Sequence, residues 1–146
     1  MSHTCSIKGI KIQSITALAS ALAELTQKGI KTCLITNATP RAFYKDQKGM
    51  GVADYVIKVE DCPYDVGLYK QPDNSYEPRT DFWAGYIEKI FGAKTADKTK
   101  YEQAKLGKLF QAYGLAAATE TARKQGKTVR RVEGADGLVK LVISGY

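Results

Sequence analysis

The sequence predicts an α+β fold: a mainly antiparallel β-sheet with two main helices on one face, arranged as a ferredoxin-like sandwich. Two long segments carry apolar residues at the three- and four-residue spacing of a helix face. Each of these segments is followed by a glycine, Gly29 or Gly126, and then by a short β-branched stretch. This repeated order of helix, glycine and strand predicts two similar halves that share one sheet.

The first half is predicted to run strand, helix, strand. Apolar residues lie on both faces of the strand predicted over 7–12, and Ser14 is the predicted N-cap of the helix that follows. Gly29 is suited to end this helix. The segment 30–36 is short and rich in β-branched residues, which predicts the second strand. The apolar face of the helix consists of Ile15, Leu18, Leu22 and Leu25.

A third strand and a β-hairpin are predicted in the middle of the chain. The third strand covers 55–59, and the hairpin pairs 64–70 with a strand that begins at Tyr76. The turn at 72–75 contains proline, which fixes φ, and Asp and Asn, which hydrogen bond to their own backbone. Because Pro78 lacks a backbone N–H, the returning strand should be short or lie at an edge of the sheet.

Two helices and a second hairpin are predicted in the last third. A short helix over 83–91 should end at Gly92, and Thr99 with Glu102 has the spacing of a capping box that opens a longer helix. Gly126 is the expected end of that helix. The predicted hairpin has strands at 128–133 and 138–144 and a turn at 134–137.

The composition predicts one soluble domain spanning residues 1–146, because 146 residues suit a single hydrophobic core. No apolar run approaches the roughly 20 residues that span a bilayer, and no signal-peptide pattern is present, so we expect a cytoplasmic protein without membrane contact. The three cysteines, Cys5, Cys33 and Cys62, are odd in number and widely spaced. That spacing fits neither a disulfide framework nor a CxxC metal site, so reduced thiols are expected.

The net charge of +7 is concentrated near the C-terminus. Five basic residues without an intervening acid form the candidate binding patch: Arg123, Lys124, Lys127, Arg130 and Arg131. A patch of this kind can contact nucleic-acid phosphates or an acidic protein surface. The alternative is a solvated surface that only keeps the protein soluble.

Aromatic residues crowd the predicted middle hairpin and allow two interpretations. They can pack in the core, as aromatic residues in strands commonly do, or stack on the bases of single-stranded nucleic acid. Period-two alternation assigns Tyr64 to the core face together with Val66 and Leu68. It leaves Tyr69 and Tyr76 as the candidate exposed rings for contact with nucleic acid or a partner.

No residue pattern in the chain carries a catalytic signature, and no cofactor or metal is predicted. His3 and Cys5 share a strand face but are separated by about 6.5 Å along the chain, which is marginal for a coupled thiolate and imidazole, and no third orienting group is evident. Three acids, Asp61, Asp65 and Asp81, fit hydrogen-bonding roles at turns and strand ends better than a catalytic pair. A small metal-dependent enzyme would require these groups to converge in one pocket.

Several short motifs give the chain a resemblance to a known family. They are Met1-Ser2-His3, Tyr64-Asp65-Val66-Gly67, Tyr76-Glu77, Asp81-Phe82-Trp83, Gln111-Ala112-Tyr113 and Asp136-Gly137 before an apolar strand. In order and spacing, over nearly the full length, they resemble small uncharacterised proteins that are conserved hypothetical reading frames of cyanobacteria and plastids, with bacterial and bacteriophage relatives. The resemblance implies no activity or cofactor. The occurrence of such frames near AAA-type ATPases implies an adaptor role.

From these observations we expect a non-enzymatic binding or adaptor protein that acts through a protein partner, with an AAA-type ATPase as one candidate. The alternative is a nucleic-acid-binding protein that uses the basic patch and exposed aromatic rings. Its affinity would fall steeply with salt concentration. Unpaired edge strands at either hairpin could also join two copies of the chain, so a homo-oligomer is a further expectation.

Overall fold

A five-stranded antiparallel sheet lies at the centre of the computed structural model, with the strand order β1-β5-β4-β3-β2. The structure describes residues 4–6, 11–41, 51–81, 85–93, 104–133 and 139–145. The sheet consists of β1 (Thr4–Ser6), β2 (Thr32–Ala38), β3 (Ala53–Val59), β4 (Val66–Lys70) and β5 (Tyr76–Asp81). A separate two-stranded sheet consists of β6 (Thr128–Glu133) and β7 (Val139–Ser144). The helices are α1 (Ile15–Gln27), α2 (Tyr86–Phe91) and α3 (Gly107–Lys124).

The strands β2 to β5 form a meander in which each strand pairs with the next along the chain. The N-terminal segment closes the other side, because β1 pairs with β5 and Ile12 forms a bridge to Tyr76. Helix α1 therefore connects the two outer strands, β1 and β2. The predicted helix and second strand are confirmed. Of the first strand, predicted over 7–12, residues 7–10 lie outside the described residues and Ile12 forms a bridge, while the observed β1 precedes this segment and lies at the opposite edge of the sheet from β2.

Both long helices end in the same way, at the glycines that the sequence predicts. At the end of α1 the Ile30 N–H donates to the Leu25 carbonyl, and at the end of α3 the Lys127 N–H donates to the Ala122 carbonyl. The intervening Gly29 and Gly126 have φ values of 98° and 76°. Each end is thus a Schellman motif, which requires a left-handed residue that glycine supplies without steric cost. The similarity of the two helix ends reflects shared capping chemistry.

The core lies between the sheet and the helices, so the main helices cover one face, as predicted. Its largest fully buried side chains come from every layer: Ile12, Leu18, Ile57, Leu68, Phe91, Leu106 and Leu109. A smaller cluster of Ala53, Val56 and Tyr69 lies apart from this core. No helix in the described part of the chain is long and apolar enough to cross a membrane.

Polar contacts join the start of α1 to the middle of α3. The buried Tyr113 hydroxyl accepts hydrogen bonds from the backbone N–H groups of Gln13 (2.8 Å) and Ser14 (3.1 Å). Two turns further along α3, the Glu120 carboxylate accepts from the hydroxyls of Thr16 (2.6 Å) and Ser14 (2.7 Å). These two hydrogen bonds lower the pKa of Glu120. The Ser14 side chain also accepts from the Ala17 N–H at 3.1 Å, which confirms the predicted N-cap.

The ferredoxin-like arrangement is not confirmed, because the second helix-to-strand half does not extend the central sheet. Instead β6 and β7 pair with each other beside α3. Of the two alternatives predicted from Pro78, an edge position is wrong, since β5 has neighbours on both sides, and β5 is a strand of six residues. Pro78 lies between the two stretches of β5 that pair with the N-terminal segment, Tyr76 at one end and 79–81 at the other.

Most predicted boundaries lie within a few residues of the observed ones. The strand predicted over 64–70 begins at Val66, and the helix predicted over 83–91 is observed from Tyr86 and is capped by Gly92. The Thr99–Glu102 capping box and the turn at 134–137 lie outside the described residues.

Candidate functional site

The five predicted basic residues lie together where α3 ends and β6 begins. Arg123 and Lys124 occupy the last turn of α3, and after the glycine turn Lys127 leads into β6, which carries Arg130 and Arg131. All are exposed except Lys127, which is half-buried. We call these five residues, together with Val132 and Val142 of the hairpin strands, the basic hairpin surface.

Two of the five cations are held by acids of the helices. An Arg131 Nη1 donates to Glu24 Oε1 of α1 at 2.5 Å, and Lys124 lies 3.5 Å from Glu120 one turn back on α3. Partial burial works to raise the pKa of Glu24, but the hydrogen bond and charge of Arg131, aided by Lys28, outweigh it and lower that pKa. The Arg131 contact therefore joins the hairpin to α1.

The other three cations have no carboxylate within ion-pair distance among the described residues. They are Arg123, Lys127 and Arg130. A surface cation without a nearby acid keeps its full charge available for an anionic partner.

The pairing of β6 with β7 places apolar side chains beside this charge. Arg130 lies directly opposite Val142, and Val132 is two residues further along the same face. Arg131, on the other face, contacts α1, so the face with Arg130 points away from the helices. Val132 and Val142 are 39% and 37% exposed, and Ile143 is 47% exposed. Of the five large hydrophobic side chains found exposed in the described part of the chain, three are on this hairpin.

A cleft of about 600 Å³ adjoins the surface between α1, α3 and β6. Three of the five predicted basic residues, Arg123, Lys124 and Arg131, line it. Ser20, Thr119 and Glu120 supply polar groups. The cleft therefore offers cations and hydroxyls on the helix-facing side of the hairpin.

The predicted aromatic platform is not formed. Tyr69 is only 7% exposed, and the Arg79 guanidinium lies 4.5 Å from the centre of its ring, so the expectation of an exposed ring is wrong. Tyr76 is half-buried against the core and packs edge-on against Tyr55, with 5.4 Å between ring centres. Tyr69 is thus buried by packing within the sheet, and Tyr76 is partly buried there.

The candidate catalytic groups do not form a metal site within the described residues. His3 lies outside the described residues, Cys33 is exposed and Cys62 is buried. Asp61 is exposed at a turn, whereas Asp65 and Asp81 are fully buried.

An ion pair between Asp65 and Arg41 was not predicted from the sequence. The Arg41 guanidinium donates to both carboxylate oxygens at 2.8–3.1 Å, and the Arg41 backbone N–H donates at 2.8 Å. Asp65 thus has the hydrogen-bonding, structural role that was predicted. Arg41 and Cys62 border a second cavity of about 490 Å³ beside β2 and β3, whose lining mixes Lys31 and Lys58 with Glu60. Since Arg41 and Lys31 are paired with acids, this cavity has less unpaired charge than the basic hairpin surface.

Comparisons of the chain with protein-family models, with curated proteins and with solved structures found no match.

Proposed function

We propose that the protein is a non-enzymatic binding protein, an adaptor, that acts through a protein partner on the basic hairpin surface. The partner surface is acidic around an apolar centre. The observation that carries the proposal is the exposure of Val132 and Val142 on the same outward face as Arg130.

The charge of this surface supports an acidic partner. Arg123, Lys127 and Arg130 have no acid of the described chain beside them, so carboxylates of a partner can pair with them without displacing an existing contact. Complementary charge of this kind raises the association rate and selects among partners more than it adds affinity.

The apolar side chains favour a protein over a nucleic acid. Exposed Val132 and Val142 next to Arg130 fit the apolar centre and polar rim of a protein interface. A surface that binds the nucleic-acid backbone is dominated by polar and positively charged contacts. A two-stranded hairpin is also marginally stable alone, so a partner that covers its outer face would stabilise it.

Nucleic-acid binding stays the alternative, supported by the cluster of cations alone. The burial of Tyr69 removes the predicted stacking ring from that hypothesis. The resemblance to the family of hypothetical reading frames makes an AAA-type ATPase the first partner to test, and an adaptor of this kind would act in the cytoplasm.

The test begins with capture of a partner from lysate of the native host by the full-length protein, with and without nuclease. The captured protein is then purified, and its affinity is measured for the wild type and for a Val132→Thr, Val142→Thr double variant. Threonine keeps the shape and β-propensity of valine at these exposed positions. The matched control is Val52→Thr, because Val52 is 70% exposed and precedes β3, away from the hairpin.

We expect a partner that survives nuclease treatment and binds the double variant about tenfold more weakly, a loss of about 1.4 kcal/mol. The Val52→Thr variant should bind as the wild type does. Equal binding by the double variant would refute the proposed surface. Capture of nucleic acid alone, released steeply by salt, would favour the alternative function.

A further inference from the structure

The outer edge of β2 is an unpaired sheet edge in the described part of the structure. β2 hydrogen bonds to β3 on one side, and no described strand lies on its other side. An edge of this kind presents backbone donors and acceptors to another extended chain.

The backbone groups that point outward can be assigned from two contacts. The Glu60 N–H of the turn after β3 donates to the Lys31 carbonyl at 3.0 Å, so residue 31 points its backbone toward β3. Since the direction alternates along a strand, the backbone groups of Thr32, Leu34 and Thr36 point away from β3. The Thr32 N–H is already used, because it donates to the Thr26 hydroxyl at 3.1 Å. Leu34 and Thr36 are left as the outward donors and acceptors of the regular part of β2.

The sequence of β2 itself lacks the residues that commonly protect a sheet edge. Thr32–Ala38 contains no charged residue and no proline. Lysine, proline and bulges are the features that keep such edges from pairing. The one irregularity is Asn37, whose φ of 50° interrupts the ladder near the end of the strand. The flat, uncharged part therefore covers Thr32–Thr36.

We infer that β2 binds a second copy of this chain, with the two β2 strands antiparallel and the two-fold axis at Ile35. In this register Leu34 of each copy pairs with Thr36 of the other. The two pairs use outward groups for which the described residues supply no partner, and they form about four backbone hydrogen bonds. The sheets of the two copies then become one continuous sheet.

The absence of charge on β2 is what favours a second copy as the occupant. Like charges directly opposite each other destabilise a strand pair. Two copies of an uncharged strand pair without such a contact. The nearest cation, Lys31, lies opposite Thr39 of the second copy in this register. The half-buried Ile35 also meets its own counterpart, which adds apolar contact at the axis.

A cysteine placed at the axis tests the register. In Cys33→Ser, Ile35→Cys protein, the introduced thiols of the two copies lie on residues about 4.5 Å apart between Cα atoms, a separation that a disulfide can span. Mild oxidation should therefore link two chains covalently. The wild type is the control, because its exposed Cys33 lies opposite Asn37 of the second copy, away from the other Cys33.

A proline at the edge tests the hydrogen bonds. Thr36→Pro removes an N–H that points away from β3, so the β2–β3 ladder is kept, and proline is tolerated on edge strands. The wild type should sediment at twice the monomer mass of 16.0 kDa, and Thr36→Pro at the monomer mass. Thr36→Val is the matched control and should stay dimeric.

The inference is overturned if the wild type is a monomer over a wide concentration range. It is also overturned if the Ile35→Cys protein forms no crosslink while a dimer is present. The Val132→Thr, Val142→Thr variant should dimerise normally, so failure here and failure of the proposed adaptor surface can be told apart.

Discussion

Removal of the Tyr113 hydroxyl should destabilise the fold measurably, because that hydroxyl accepts hydrogen bonds from two backbone N–H groups. The Gln13 and Ser14 N–H groups donate to it at 2.8 Å and 3.1 Å. Both lie just before α1, where N–H groups have no partner within the helix. Tyr113→Phe keeps the buried ring and deletes only the acceptor.

The expected loss follows from the two hydrogen bonds. Each contributes about 1 kcal/mol net to stability, so Tyr113→Phe should lower the free energy of unfolding by about 2 kcal/mol. This loss is a large share of the free energy of unfolding of a typical domain, which is about 5–15 kcal/mol. With a urea m value of about 2 kcal/mol/M, the unfolding midpoint should fall by about 1 M with m unchanged.

Urea unfolding followed by circular dichroism measures this loss. Tyr86→Phe is the matched control, since the Tyr86 ring is 41% exposed and none of the described residues hydrogen bonds to its hydroxyl. The control should unfold as the wild type does. A Tyr113→Phe protein within about 0.5 kcal/mol of the wild type would refute the capping role of this hydroxyl.

Three further predictions concern single side chains. Because the pKa of Glu120 is lowered from 4.5, its contribution to stability is present above that pH and is lost as the pH falls through the folded-state pKa. Glu120→Gln should therefore reduce the urea midpoint at neutral pH, and the difference from the wild type should shrink in acid; a constant difference would contradict this. Arg41→Ala should destabilise the protein by about 3 kcal/mol or more, because it leaves the buried Asp65 carboxylate without its cation. Asp65→Asn should cost less in the same assay, since Arg41 is half-exposed and water can solvate it; the reverse order would contradict this account. With a thiol reagent and peptide mapping, Cys33 should react in the native protein, whereas Cys62, buried and with its pKa raised by that burial, should react only after unfolding.

Part of the candidate site could be predicted from the sequence, and part could not. The five cations stand close together along the chain on either side of a glycine turn, so local structure alone brings them together. The exposure of Val132 and Val142 was not predictable, because alternation assigns them to one face of β6 and β7 without showing which face the helices cover. The contact of Arg131 with Glu24, distant in the chain, decides that.

Tyr69 is a residue whose burial, rather than exposure, could not be predicted from alternation. Alternation correctly separates it from the core-facing Leu68. It carries no information on what lies over the second face of the sheet. In the structure Arg79 covers the Tyr69 ring, and Pro40 packs so closely on the neighbouring Gly67 that a Cβ there would lie 2.6 Å from the proline ring.

The sequence by itself determined the local elements of this protein: the capped start of α1 at Ser14, the glycine ends of both long helices and the chain order of the strands. Each depends on residues within a few positions of one another, so backbone geometry and short-range hydrogen bonds are sufficient. Only the tertiary structure decided that β1 and β2 lie at opposite edges of one sheet and that β6 and β7 stay apart from it. These outcomes depend on which apolar faces are buried together, and long-range packing sets that choice.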